Sequence, residues 1–264
     1  YPLNYYDNIT LEDKCNAQSF NVENHQIFLS RFMSPETPYK SLLLFHGVGT
    51  GKTCAALTIA EGYKSTLSNL RKRLQIKPGT RNFVYYNYPG VYVISSRAIH
   101  KVFRNELYNT NKVPREEAPG ILHCLGNEYF PMNDDAEGAN QKLQVSRKIL
   151  SYYSFFGPSE FSNFVRDIKK ATNLKDFFSH SIFIVDEVHN VLSEEKELGD
   201  AKNNTLETLK EVFKEADNTR LVMLSATPMR DDEESIINLL TLLRYNHDKY
   251  EEIQKDKLFP KGNN

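Results

Sequence analysis

Residues 42–57 read LLLFHGVGTGKTCAAL, and this stretch decides the fold of the chain. A short apolar run, typical of a buried strand, gives way to a glycine-rich turn and then to helix-forming residues. Glycines allow the dihedral angles that let backbone N–H groups curve around a phosphate, and the positive end of the following helix adds to the attraction. The pattern therefore predicts a phosphate-binding loop, with a purely structural turn as the alternative.

In such a loop, Lys52 would reach the β- and γ-phosphates of a nucleoside triphosphate and Thr53 would ligate Mg²⁺. The strict pattern requires glycine at position 46, where this chain has His46, so the match is to the looser form G-x-G-K-T. The residues predicted to bind ATP through this loop are Gly47, Val48, Gly49, Thr50, Gly51, Lys52 and Thr53.

Four apolar runs recur along the chain and predict strands at 41–46, 91–95, 181–186 and 221–225. They are continuous rather than alternating, which is typical of strands covered on both faces. The segments between them favour helices at about 52–63, 97–108, 141–153, 205–217 and 233–244. This alternation predicts an α/β fold, with a mostly parallel sheet covered by helices on both faces.

The segment 110–140 is rich in Pro, Gly, Asn and acidic residues, and it predicts a surface insertion. We expect an N-terminal extension over 1–40, an ATPase domain over 41–245 and a C-terminal tail or linker over 246–264. Because the chain begins with Tyr1 rather than methionine, we expect it to be a piece of a longer protein. The absence of a run of eighteen apolar residues predicts no membrane helix.

Charge is unevenly distributed, although the net charge is only −1. Residues 62–105 include nine Lys or Arg and no acid, where average usage in this chain would give about six acids. Residues 186–234 contain fourteen acids and six bases. A positive stretch can contact nucleic-acid phosphates, but charge alone favours a solvated surface balanced by the acidic stretch.

The three cysteines, Cys15, Cys54 and Cys124, lie far apart and form no C-x-x-C pair. This spacing predicts reduced thiols and offers neither a zinc site nor a disulfide framework. The aromatic stretch SYYSFFGPSEFSNF at 151–164 predicts core packing, and stacking on nucleic-acid bases is the alternative.

A second motif, IFIVDEVHNV at 182–191, ends an apolar strand in Asp186 and Glu187. A phosphate-loop site needs one acid to hold Mg²⁺ and another group to orient or deprotonate the attacking water. We assign Asp186 to the metal and Glu187 to the water, which makes both catalytic together with Lys52. His189 is predicted to couple this site to the next motif. The alternative is an acidic helix start that complements the helix dipole.

The third motif, LVMLSATPMRDD at 221–232, places Ser225 and Thr227 after another apolar strand. Their hydroxyl groups are predicted to hydrogen-bond to the acid loop and to couple the nucleotide state to the rest of the domain. Taken alone, the tripeptide Ser-Ala-Thr could equally be a hydroxyl-rich turn.

The order G-x-G-K-T, D-E-V-H and S-A-T resembles superfamily 2 helicases and translocases, whose motor domains are RecA-like P-loop domains. The resemblance implies that Gln26, in NVENHQIFLSRFM at 21–33, reads adenine. It also implies that the turn within VYVISSRAIHKVFRNEL at 91–107 contacts the nucleic-acid backbone through Ser95, Ser96 and Arg97.

Within that superfamily, LLLFHGVGTGKT, SIFIVDEVHNV and YSFFGPSEFSNFV are similar to phrases in large nucleocytoplasmic DNA viruses, in the early transcription factor small subunit and related nucleoside triphosphatases. The resemblance implies a DNA-dependent ATPase of viral transcription that uses Mg²⁺ with ATP. Its implied partners are nucleic acid, most simply duplex DNA, and a large transcription-factor subunit or viral RNA polymerase, with no membrane. Its implied location is the host cytoplasm and the virion, not the secreted fraction.

The resembled family builds its ATP site between two RecA-like domains, and the second domain supplies an arginine to the transition state. No comparable G-R-x-x-R segment follows Thr227. We therefore expect the first motor domain alone, which should bind ATP better than it hydrolyses it. The competing hypothesis is a nucleotide-sensing scaffold that binds ATP without translocating, and salt-dependent binding to duplex DNA separates the two.

Overall fold

The computed structural model describes residues 23–47, 49–64, 90–108, 124–125, 129, 138–193, 205–228 and 233–259. Within these ranges the strands are β1 Ser41–Phe45, β2 Val91–Ile94, β3 Tyr153–Phe156, β4 Ile182–Asp186 and β5 Arg220–Ser225. They form one sheet in the order β1-β5-β4-β2-β3, and every pairing is parallel. The predicted parallel sheet is therefore confirmed.

The helices of the described residues alternate with these strands. They are α1 Asn24–Phe32, α2 Lys52–Gly62, α3 Arg97–Leu107, α4 Gly138–Leu150, α5 Pro158–Ala171, α6 Leu174–Phe178, α7 Val188–Ser193, α8 Thr205–Glu215, α9 Glu233–Tyr245 and α10 Lys255–Leu258. All five predicted helices are present with ends shifted by at most a few residues. Strand β3 and helices α1, α5, α6, α7 and α10 were not predicted, and the helix predicted over 141–153 runs into β3.

Helices pack on both faces of the sheet, and β4 shows why. Its alternate residues Ile182 and Ile184 belong to the core cluster on one face, together with side chains from α1, α2, α3 and α4. Phe183 and Val185 belong to the cluster on the other face, with side chains from α5 to α9. A strand buried on both faces must be apolar throughout, which explains the continuous runs in the sequence. The α/β fold class is confirmed.

The aromatic stretch at 151–164 supplies core residues, as predicted. Phe161 is fully buried, and the ring of Phe164 stacks on that of Phe156 with centroids 4.7 Å apart. The stretch also forms β3 and the start of α5, so its aromatic residues lie where the sheet meets a covering helix.

The prediction of reduced, separate thiols is wrong for two of the three cysteines. Cys54 in α2 and Cys124 in the predicted insertion form a disulfide with Cα atoms 5.4 Å apart. The two cysteines are 70 positions apart in the sequence, so their contact arises only from the fold of the chain. Cys15 lies outside the described residues.

Residues on both sides of the predicted domain boundaries contact the sheet domain. Leu29 in α1 is buried in the core, and the side-chain amide of Asn246 donates to the Lys40 carbonyl at 2.7 Å. The proposed division at 1–40, 41–245 and 246–264 stays a prediction. None of the described helices is long and apolar enough to cross a membrane.

Candidate active site

The phosphate loop connects β1 to α2, as the sequence predicts. Gly49 and Gly51 have φ angles of 81° and 78°, in the left-handed region that glycine adopts without strain. A Cβ atom on Gly51 would lie 2.9 Å from Nε2 of Gln26, so a larger residue here would require the Gln26 amide to move. The first N–H groups of α2 have no acceptor within the helix and are therefore available to an anion. Val48 lies outside the described residues.

Lys52 folds over the loop that precedes it. Its Nζ donates to the carbonyl oxygens of His46 at 2.9 Å and Gly47 at 3.1 Å. The hydroxyl of Thr50 also donates to the Gly47 carbonyl, at 2.8 Å. The ammonium group thus lies at the mouth of the loop, where phosphate oxygens could replace the two carbonyls as its acceptors.

Gln26 is buried against the phosphate loop. Its Oε1 accepts from the Glu23 backbone N–H at 3.1 Å, and its Nε2 donates to the Gly51 carbonyl at 3.4 Å. These contacts tie α1 to the glycine that begins α2. Adenine recognition by Gln26 stays a prediction, but the residue lies directly beside the loop.

The acid pair lies at the carboxyl end of β4, next to β5 and one strand away from the phosphate loop. Burial, assisted by the neighbouring Glu187 carboxylate, raises the pKa of Asp186 from 3.8 to about 6, although the Glu187 N–H and the Lys52 charge oppose this shift. Glu187 is half-buried with a φ of 48°, a left-handed conformation that is uncommon outside glycine and clusters at functional sites.

These residues fit a Mg²⁺ ion. A buried carboxylate that is costly to ionise gains from a nearby cation, and Mg²⁺ prefers oxygen ligands. Asp186 and the Thr53 hydroxyl would hold the ion, which would supply positive charge to the phosphate oxygens. The positive charge of Lys52 is the smallest of the influences on the pKa of Asp186, which it lowers, so the two side chains lie within electrostatic reach of each other.

Polar contacts connect the acid loop to the third motif. Oε2 of Glu187 lies 3.5 Å from Nε2 of His189, and Nδ1 of His189 lies 2.9 Å from Oγ of Ser225. Oγ of Ser225 also accepts from the Thr227 backbone N–H at 3.0 Å. When the His189 imidazole is neutral with its proton on Nε2, each contact in this series has one donor and one acceptor. Nε2 donates to Glu187, and the Ser225 hydroxyl donates to Nδ1. The predicted coupling residues are thus in contact, while their coupling role stays a prediction.

The predicted nucleic-acid contacts lie at the same edge of the sheet. Ser95 is fully buried, whereas Ser96 and Arg97 are exposed at the start of α3. Arg97 forms an ion pair with Glu160 in the first turn of α5, and Nη2 of Arg97 lies 2.5 Å from Oε1 of Glu160. Contact with nucleic acid stays a prediction for all three residues, and the buried Ser95 side chain has the least access to a phosphate.

Glu160 was not predicted as a site residue. Its Oε2 accepts from the Gly157 backbone N–H at 2.9 Å, and its pKa is lowered by the hydrogen bond from Arg97 and by this backbone bond. The signal for it was present in Gly-Pro-Ser-Glu at 157–160, since Pro at the first helical position and Glu two residues later are typical of a helix start.

A parallel sheet with a glycine-rich loop after one strand and an acid pair at the end of a neighbouring strand defines a RecA-like P-loop domain. Residues 5–230 match the family model described as "Type III restriction enzyme, res subunit", and the chain belongs to this family. It is a helicase-family domain of superfamily 2, of the kind found in large DNA viruses.

Several viral proteins are similar to this chain. "Putative ATP-dependent RNA helicase L377" of Acanthamoeba polyphaga mimivirus is 27% identical over 97% of this chain and 22% of its own length. "Putative helicase 087L" of Invertebrate iridescent virus 3 is 27% identical over 83% of this chain and 20% of its own length. "Early transcription factor large subunit homolog" of African swine fever virus is 23% identical over 92% of this chain and 26% of its own length. The chain thus spans about a quarter of the length of these relatives.

Proposed function

We propose that this chain is the ATP-binding motor domain of a nucleic-acid-dependent ATPase that acts in viral transcription. The observation that carries the proposal is the convergence of three sequence motifs at one edge of the sheet. Phe45, which ends β1 before the phosphate loop, pairs with Ser225, and Asp186 pairs with Leu224 on the other side of β5. The parallel register thus brings the loop, the acid pair and the Ser-Ala-Thr turn to adjacent strand ends.

Each side chain at this edge has a role that its position supports. The N–H groups of the loop and Lys52 would bind the phosphates, and Gln26, held against Gly51, would face the nucleoside. Asp186 and Thr53 would hold Mg²⁺. Glu187, at the start of the series of contacts that reaches Thr227, would orient and deprotonate the attacking water.

The same contacts suggest how hydrolysis is coupled to movement. A shift of Glu187 on loss of the γ-phosphate would alter its contact with His189, and through His189 it would reach Ser225 and Thr227. A polar series of this kind can transmit a change because each member has a defined partner. The exposed Ser96 and Arg97 are the candidates for contact with the nucleic-acid backbone.

The relatives are several times longer than the matched region, which leaves room for a second motor domain that supplies an arginine to the transition state. In this proposal the 264-residue chain binds ATP but turns it over slowly on its own. The African swine fever virus relative is named for an early transcription factor, which supports a role in viral transcription. The host cytoplasm and the virion remain the proposed setting. Viral RNA polymerase or another transcription-factor subunit is the proposed protein partner, and duplex DNA the proposed nucleic acid.

The experiment is a measurement of ATP hydrolysis by this chain and by a longer chain with the following domain, each with and without duplex DNA. We expect hydrolysis to be much faster in the longer chain, with stimulation by DNA that declines as salt rises, because phosphate contacts release counterions. A parallel series with duplex RNA tests the choice of nucleic acid. If ATP binds but no nucleic acid alters the rate or binds in a salt-dependent manner, the motor proposal fails and the nucleotide-sensing scaffold replaces it.

A further inference from the structure

The first turn of α2 is covalently joined to the predicted insertion by the disulfide between Cys54 and Cys124. The Cα separation of 5.4 Å lies within the usual range for a disulfide. Both side chains are buried. Cys54 directly follows Lys52 and Thr53, so the bond attaches Cys124 to the turn that carries the proposed phosphate and Mg²⁺ ligands.

Tyr129 makes a second contact on the same face of α2. The Tyr129 hydroxyl donates to Oε1 of Glu61 at 2.6 Å, and the Tyr153 hydroxyl of β3 donates to the same oxygen at 2.6 Å. Glu61 lies about two helical turns after Cys54, so both side chains project from one side of the helix. Cys124 and Tyr129 therefore contact α2 near its two ends.

Glu106 in α3 gives the cysteine pair a partner in its reduced form. Its Oε2 lies 3.2 Å from Sγ of Cys124 and 4.0 Å from Sγ of Cys54. In the dithiol state either thiol can donate to this carboxylate, whereas in the disulfide neither sulfur carries a hydrogen. The surroundings of the pair therefore accommodate both oxidation states.

We infer that Cys54 and Cys124 form a reversible redox clasp, a disulfide that fixes residue 124 to α2, and that closing the clasp tightens nucleotide binding. The second part rests on the proposed function. When the clasp is closed, the first turn of α2 loses freedom before the nucleotide arrives, so less ordering remains to be done on binding. When it is open, no covalent bond joins Cys124 to α2, while the hydrogen bond from Tyr129 to Glu61 remains.

The oxidant of the clasp is a low-molecular-weight disulfide such as oxidised glutathione. The thiolate of one cysteine attacks that disulfide, forms a mixed disulfide and releases one thiol. The other cysteine then attacks the mixed disulfide, forms the Cys54–Cys124 bond and releases the second thiol. The two protein thiols lose two electrons and two protons, and the external disulfide is reduced to two thiols.

The first arm of the test counts free thiols by alkylation under denaturing conditions and mass spectrometry, after equilibration in oxidised or reduced glutathione. The chain has three cysteines, so we expect one alkylated cysteine, Cys15, in the oxidised sample and three in the reduced sample. The oxidised form should melt about 5–10 °C higher, because the cross-link constrains a long loop in the unfolded chain. Three free thiols in both buffers would overturn the clasp.

The second arm measures the affinity for a fluorescent ATP analogue in both redox states. We expect at least about fivefold tighter binding in the oxidised state, the lower end of typical allosteric coupling. Cys124→Ser should have the same affinity for the analogue in both buffers, equal to that of the reduced wild type. Cys15→Ser, the matched control that keeps the pair, should retain the full difference. If the thiol count shows that the disulfide forms in the wild type but the affinity for the analogue is the same in both redox states, the proposed control of nucleotide binding is overturned.

Because the thiol count involves no nucleotide, the two proposals fail in different ways. Failure of the proposed function would give no analogue binding in either state, with an intact change in thiol count. Failure of the clasp would give analogue binding with an unchanged thiol count. One equivalent of zinc in the protein as purified, absent from Cys124→Ser, would instead identify Cys54, Glu106 and Cys124 as a metal site and overturn the disulfide.

Discussion

Asp186→Asn is expected to stabilise the folded protein while removing its proposed metal ligand. Asp186 is only 6% exposed, and its burial together with Glu187 raises its pKa from 3.8 to about 6. A shift of about two units corresponds to about 3 kcal/mol of unfolding free energy. Asparagine keeps the shape and an oxygen that can accept the Glu187 N–H, but it carries no charge whose burial must be offset.

The direction of the pKa shift determines how the stability of the folded protein changes with pH, and over which pH range. An acid whose pKa is raised in the folded state binds its proton more tightly there than in the unfolded chain, so stability falls as pH rises from about 4 to about 6. Without divalent metal, we expect the asparagine variant to be more stable than the wild type by about 3 kcal/mol at pH 7.5, and by about half of that at pH 5.

Urea unfolding at a series of pH values, with a metal chelator present, measures this difference. The matched control is Asp167→Asn, since Asp167 lies exposed on α5 and pairs with Lys170 at 3.0 Å. This control should change stability by less than about 1 kcal/mol at any pH. An Asp186→Asn variant no more stable than the wild type at pH 7.5, or a difference that stays constant with pH, would refute this reasoning.

Three further substitutions test the roles assigned at this edge of the sheet. Glu187→Gln should leave ATP-analogue binding unchanged and lower turnover by about 10²–10⁴-fold in a chain that hydrolyses ATP, since it removes a general base, and equal turnover would dismiss that role. Ser225→Ala, which removes the hydroxyl beside His189, should spare ATP binding and basal turnover but reduce stimulation by nucleic acid, so full stimulation would contradict coupling. Arg97→Ala should weaken nucleic-acid binding and reduce the slope of log affinity against log salt concentration by about one. Glu160→Gln frees Arg97 from its ion pair and should strengthen binding. No change in either variant would exclude Arg97 from the contact surface.

The phosphate loop and the acid pair were predictable because each motif is contained in a short stretch of chain. A strand, a glycine turn and a helix start can be read from consecutive residues, and both motifs occur where the strands end. The position of Gln26 against Gly51 was less accessible, since the sequence suggests a ligand for it but gives no sign of its contact with the loop.

The features that escaped prediction depend on contacts between distant residues. The sequence gives no sign that Cys124 meets Cys54, because that contact forms only when two distant parts of the chain fold together. Strand β3 was missed because its residues lie in an aromatic stretch without the bounded apolar run of the other strands. The burial of Ser95 beneath exposed Ser96 follows from its place at the end of β2, where the Ser95 N–H donates to the Phe156 carbonyl of β3 at 3.0 Å.

The most direct test of nucleotide binding at this site is the titration of a fluorescent ATP analogue with Mg²⁺ into the wild type, Lys52→Ala and Lys214→Ala. Lys214 lies exposed on α8, so its removal controls for the loss of one positive charge. We expect Lys52→Ala to weaken binding at least about tenfold, because a charge-assisted contact to phosphate is lost, and Lys214→Ala to bind like the wild type. Equal affinity of Lys52→Ala and the wild type would contradict the assignment of the loop to ATP.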